Sequence, residues 1–179
     1  MSFLGVLQLR TTGTVPEGWQ LQERFIHMVM PANAQLLRET EPCEIFLNQQ
    51  PGIGRVVDFL CQGESLGSGG ADAWDCFYSE TCTLVNHGRA LIWTVENAAG
   101  ELVATAGAYA MWNKTAYLAG VETEKKHRGK EIGGFLVTAL ANHLAAEGYL
   151  AELLCRPERE HFYQALGFIK KGEVDSYCP

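Results

Sequence analysis

The segment from Gly120 to Gly134, GVETEKKHRGKEIGG, constrains this chain more than any other. It joins a strand end, a basic turn and a helix start with almost no chain between them. Such a turn can hold a polyanion, because a helix start offers N–H groups with no intrahelical acceptor and roughly half a positive charge from aligned peptide dipoles. Arg128, Gly129 and Lys130 crowd that point, and the glycines at 129, 133 and 134 let a ligand approach the backbone closely. The same residues also fit an ordinary charged turn ahead of an amphipathic helix, so the flanking pattern has to decide.

That pattern is regular. Ile132, Phe135, Leu136, Ala139, Leu140 and Leu144 recur at helical spacing and predict one amphipathic helix over 131–147, with Gly148 as the left-handed residue that ends it. The apolar run 149–155 has strand length and stops at Arg156-Pro157. A short helix, EREHFYQAL, then ends at Gly167, and FIKKGEVDSY returns to extended chain. Upstream, residues 89–96 and 101–112 are rich in strand formers and joined by Asn97-Ala98-Ala99-Gly100, a hairpin signal. Asn113-Lys114 turns the chain into TAYLAGVETE, so three consecutive antiparallel strands feed the basic turn. Helical patterns lie at about 31–40 and 53–62, with Pro31 and Pro51 near their starts. Residues 1–30 carry no pattern strong enough to assign. Without repeats or an interdomain linker, the 179 residues read as a single domain, 1–179.

Two pieces of this order resemble the GNAT superfamily of N-acetyltransferases. The first, Val121, Thr123, Arg128, Gly129, Lys130, Ile132 and Gly133, is similar to the family's acetyl-CoA motif, R/Q-x-x-G-x-G/A, with its preceding strand. The second, F-Y-x-x-L-G-F at 162–168, is similar to the family's closing motif with its tyrosine. The likeness runs from Arg89 to the end of the chain. It implies an α+β fold with a mixed, mostly antiparallel central sheet flanked by helices on both faces, and acetyl-CoA as co-substrate. By the same likeness, Val121 and Thr123 pair with the pantetheine arm, Arg128, Gly129, Lys130, Ile132, Gly133 and Gly134 hold the pyrophosphate, and Tyr163 protonates the departing thiolate. Tyr163 also fits a core aromatic beside Phe162 and Phe168.

The acceptor must attack as a neutral amine, which calls for a base. Glu122, beside the strand residues that would bind cofactor, is the candidate, though it also fits an exposed strand-end glutamate; Glu152 on the next strand is the reserve. One residue departs from the motif. Glu131 stands where the family most often has its first motif glycine. A carboxylate ~6 Å from a phosphate, at an effective dielectric of ~20, costs roughly 3 kcal/mol of repulsion. Turned to water in the first helical turn, it favours the helix instead. Its replacement by glycine is then expected to lose up to ~1 kcal/mol of helix propensity. A CoA-binding regulatory or interaction module without turnover is the alternative that Glu131 motivates.

Composition sets outer limits. A net charge of −7 argues against nucleic acid as a partner, because the basic residues are concentrated in one short turn. The six cysteines, at 43, 61, 76, 82, 155 and 178, show no C-x-x-C pair and no spacing expected of zinc, so reduced thiols, no metal and a cytoplasmic location are expected. Cys155 is read as a small buried hydrophobe or a thiol near the cofactor thioester. No segment has the length of a signal peptide core or a membrane span, and a monomer or a homodimer fits equally. A rival signal is Gly63-Glu64-Ser65-Leu66-Gly67, which matches the nucleophile elbow of serine hydrolases. Ser65 would need a helix directly after it, and Ser68-Gly69-Gly70 is a poor helix former. Residues 63–72 therefore read as a loop over the acceptor site or a plain surface loop, and residues 25–40, 63–80 and the final strand as the segments that would form the acceptor pocket.

Overall fold

The chain was analysed as a computed structural model that describes residues 9–31, 44–63 and 70–179. Its frame is one sheet of eight strands: β1 (Leu9–Thr11), β2 (Gln20–Met30), β3 (Ile45–Asn48), β4 (Leu91–Asn97), β5 (Leu102–Trp112), β6 (Thr115–Thr123), β7 (Leu150–Cys155) and β8 (Ile169–Cys178). They lie in the order β1-β8-β2-β7-β6-β5-β4-β3. Every neighbouring pair is antiparallel except β6 and β7. Those two are parallel because the helix α3 (Ile132–Ala146) carries the chain from one end of the sheet back to the other.

Helices cover both faces, and the strand period of two decides what each receives. On β4, Trp93 and Val95 turn to the α3 side, whereas Ile92 turns to the side of α1 (Ile53–Gln62) and α2 (Gly70–Asn86). Because α3 lies across β4 to β7, residues nearly all round it are buried, among them Leu136, Val137, Thr138, Leu140 and Leu144. Its end matches the sequence expectation: Gly148 takes φ 75°, and the Tyr149 N–H donates to the Leu144 carbonyl at 2.8 Å. The final short helix, α4 (Glu160–Ala165), contributes Tyr163 to the α3-side core.

Strands β4 to β8 and helices α1, α3 and α4 fall where the sequence places them. Two elements differ. Residues 20–30 form a long strand between β7 and β8, pinned by a two-pronged bond from the Arg24 guanidinium to Asp175 at 2.7 and 3.0 Å. The last three residues of the loop expected at 63–72 open α2, whose Phe77 packs on Tyr109 while Trp74 stacks on Tyr78 and donates to Asp58. The glycine and serine run before it concealed an apolar period of Trp74, Phe77, Thr81 and Val85. The helical pattern at about 31–40 and the elbow serine Ser65 lie outside the described residues.

Candidate functional site

The site is built where β6 and β7 part. Their parallel pairing covers Thr115 to Tyr117 against Leu150 to Glu152 and goes no further, although β6 continues to Thr123 and β7 to Cys155. Each strand stays held on its outer side, β6 by β5 as far as Thr123 and β7 by β2 as far as Cys155. Two sheet edges thus face each other across a wedge. An edge with unpaired N–H and C=O groups takes an extended amide chain in strand fashion.

The divergence has a local cause. Gly120 and Val121 together oppose Ala106, since Thr105 pairs with Glu122 and Gly107 with Ala119. This is a β-bulge, and Gly120 meets its demand with φ 60°. A bulge bends and twists its strand, which turns β6 away from β7.

Beyond Thr123 a single 3-10 turn, Lys125–His127, leads to Gly129 at φ 76° and then to the start of α3. Glu124 pins the turn: its carboxylate bonds His127 Nδ1 at 2.9 Å and pairs with Lys126 at 3.0 Å. Partial burial works against that charge, but the bonds from Lys126 and His127 hold the carboxyl below its ordinary value. The first turn of α3 lies close against the end of β6, because a Cβ on Gly133 would sit 2.9 Å from Thr123 Oγ1. Gly129, Lys130, Ile132, Gly133 and Gly134 therefore sit on one turn at the start of α3, with Ile132 buried beneath it.

Glu131 is not inside the helix. It is the residue before it, in the left-handed region at φ 62° and ψ 3°, and exposed. The expected loss of helix propensity on replacement by glycine is thereby corrected. This position favours glycine, because the left-handed region crowds a Cβ against the following carbonyl.

The two candidate carboxylates leave the sheet on the side away from α3. Glu122 lies against Gly63 at the end of α1, where a Cβ would be 3.0 Å from the carboxyl carbon. It is nearly buried, at 8% exposure, and accepts a bond from Arg128 Nη2 at 2.7 Å. Arg128 Nε donates to the Thr123 carbonyl at 3.0 Å. Glu152 alternates with Ala151 and Leu153, which join the α3-side core, so it too faces away from α3. Its Oε2 lies 3.1 Å from Nε2 of His27, a partner no sequence pattern had indicated. The alternation of Ile26, Met28 and Met30 in β2 was the signal that could have found that strand.

Tyr163 is buried between edge-on contacts with Phe162 at 5.0 Å and Phe168 at 5.7 Å. Burial raises its phenol well above the ordinary value, and Cys155 and Tyr117 are close enough to add to that. Tyr163 thus sits by the end of β7 and keeps its proton at neutral pH. Burial, with Glu160 adding, pushes the Cys155 thiol up to about 11, so Cys155 is a protonated core residue. Among the described residues no cluster of His, Cys, Asp or Glu could hold a metal ion, and no helix is long and apolar enough to cross a membrane.

Comparison with known proteins agrees with this fold. The family model described as Acetyltransferase (GNAT) family matches residues 60–168. No curated protein matches the chain in sequence. Among solved structures, a GCN5-related N-acetyltransferase from Sphaerobacter thermophilus superposes with a TM-score of 0.73 at 15% identity, covering 89% of this chain and 52% of that one. A GCN5-related N-acetyltransferase from Kribbella flavida gives 0.67 at 17%, covering 90% and 60%. A tandem GNAT protein from the clavulanic acid biosynthesis pathway gives 0.68 at 17%, covering 90% and 55%. The chain spans a little over half the length of these three, and the likeness to them is one of fold. With the family match over more than half of its residues, the chain belongs to the GNAT acetyltransferase family.

Proposed function

We propose that this protein transfers an acetyl group from acetyl-CoA to a primary amine of a small molecule or peptide. The observation that carries the reading is the wedge between β6 and β7, which leads directly into the Gly129 to Gly134 turn at the start of α3. An extended pantetheine arm has amides to pair with the β6 edge at Val121 and Thr123, while the turn suits the pyrophosphate. Lys130 adds positive charge there. A β6 N–H directed at the thioester carbonyl would stabilise the oxyanion as the amine adds.

An alkylammonium with a pKa near 10.4 is neutral in roughly one molecule in 2,500 at pH 7, so proton removal matters. Glu122 and Glu152 lie on the sheet face away from α3, the side proposed for the acceptor, and Glu122 is proposed as the base. Tyr163, protonated and beside Cys155, is proposed to donate to the departing thiolate. A single domain over 1–179 and a cytoplasmic setting belong to the same proposal.

The test is thermal shift and calorimetry with acetyl-CoA, beside a thiol-release assay against a panel of primary amines. Stabilisation with thiol release supports the enzyme. Stabilisation without release against any amine favours the regulatory module, and absence of binding overturns both readings.

A further inference from the structure

We infer that Arg128, the first residue of the motif, is a positioning residue for Glu122 and leaves the cofactor's phosphates to the backbone turn and the lysines. The inference rests on the acyl-transfer reading of the site. It comes from where the guanidinium points. Nη2 is on Glu122 Oε1 at 2.7 Å and Nε is on the Thr123 carbonyl at 3.0 Å, so the planar fork is turned back onto the end of β6. A charge-assisted bond of that length is among the stronger ones a protein makes.

Burial gives the pair its consequence. Glu122 is 8% exposed and is enclosed on one side by Gly63, which has no side chain to spare the space. Drawing Arg128 away to a phosphate would take from a nearly buried carboxylate the cation 2.7 Å from it, which is unfavourable. The turn does not need the guanidinium. Helix-start N–H groups from Ile132 to Gly134, with Lys130 beside them, can supply an anion site in which backbone does most of the holding. Held in place by Arg128, Glu122 keeps one orientation on the acceptor side, which is what a general base requires.

The experiment compares wild type with Arg128→Met, Glu122→Gln and the double variant, by melting temperature and by calorimetry with CoA. Arg128→Met is expected to melt about 5 °C lower, because it removes the cation bonded to a nearly buried carboxylate, and the double variant to recover to within about 2 °C of Glu122→Gln. The dissociation constant for CoA is expected to stay within threefold of wild type throughout. With any amine that wild type acetylates, Arg128→Met should lower kcat at least tenfold with KM for acetyl-CoA unchanged. Arg128→Lys, which reaches only one of the two acceptors, should restore part of it. A tenfold weaker CoA affinity in Arg128→Met, not relieved by Glu122→Gln, would show Arg128 to be a phosphate ligand and overturn the inference. Failure of wild type to bind CoA is a different result and sinks the acyl-transfer reading itself.

Discussion

Glycine at position 131 is expected to stabilise this protein relative to a neutral side chain of glutamate's size there. Glu131 precedes α3 at φ 62°, a conformation that costs an ordinary L-residue about 1–2 kcal/mol. Glycine removes that strain but has more freedom to lose on folding, which returns roughly 0.5–1 kcal/mol. Deleting the carboxylate also forfeits its attraction to the helix start, about 0.3 kcal/mol at an exposed site. These terms nearly cancel against wild type, so the informative reference is Glu131→Gln, which loses the charge and keeps the strain. Glu131→Gly should exceed it by about 0.8 kcal/mol, or roughly 2–3 °C in melting temperature for a chain of this size. Glu131→Asn should fall between them, because asparagine tolerates the left-handed region better than glutamine.

Differential scanning calorimetry of the three variants reads the order directly. Glycine melting at or below glutamine would refute the backbone argument. Cofactor affinity separates a second question. Because Glu131 is exposed, its repulsion of the phosphates is screened to about 0.5–1 kcal/mol, so both neutral variants should bind CoA less than fivefold more tightly. A tenfold gain shared by glycine and glutamine would put the carboxylate against the phosphates.

Tyr163→Phe keeps both edge-on ring contacts and deletes the hydroxyl, so melting temperature and CoA affinity should hold while turnover falls on the order of a hundredfold; wild-type turnover would leave Tyr163 a core aromatic. Gly133→Val should weaken CoA binding and lower the melting temperature together, because a side chain there meets Thr123 Oγ1 at 2.9 Å, whereas Thr123→Ala in the same background should relieve part of the loss. The Arg24 bonds to Asp175 hold that carboxyl below its ordinary value, so their stabilisation is present above the unfolded carboxylate range and is lost as pH falls through the lower folded value. Asp175→Asn should therefore melt lower than wild type at pH 7, with the gap narrowing toward pH 2; a gap independent of pH would refute the assignment.

From Arg89 onward the fold was legible because each element is stated locally: alternation in the strands, Asn97 to Gly100 as a hairpin, Gly148 as a helix end. The earlier half was not, for two physical reasons. The strand β2 finds both its partners more than a hundred residues away, and its outer half, Gln20 to Arg24, is too polar to announce a strand. The helix α2 begins in glycine and carries aromatic and β-branched residues of ordinary helix propensity, so tertiary burial of Phe77 and Thr81 decides what local preference leaves open.

At the site, sequence placed the residues but not their partners. Arg128 and Lys130 read alike as exposed cations of one turn, yet the backbone from Thr123 to Gly129 folds back far enough to lay one of them on Glu122. That choice depends on a 3-10 turn and a glycine at φ 76°, neither of which a charge pattern encodes. The pairing of Glu124 with Lys126 and His127 follows from the same turn. Lys126, His127 when protonated, and Arg128 are thus each held by a carboxylate of the same segment. On the proposed reading the anion site is made chiefly of backbone N–H groups, so its glycines matter more than its charge count, and a side chain in the left-handed conformation at 131 is tolerated only at the cost of strain.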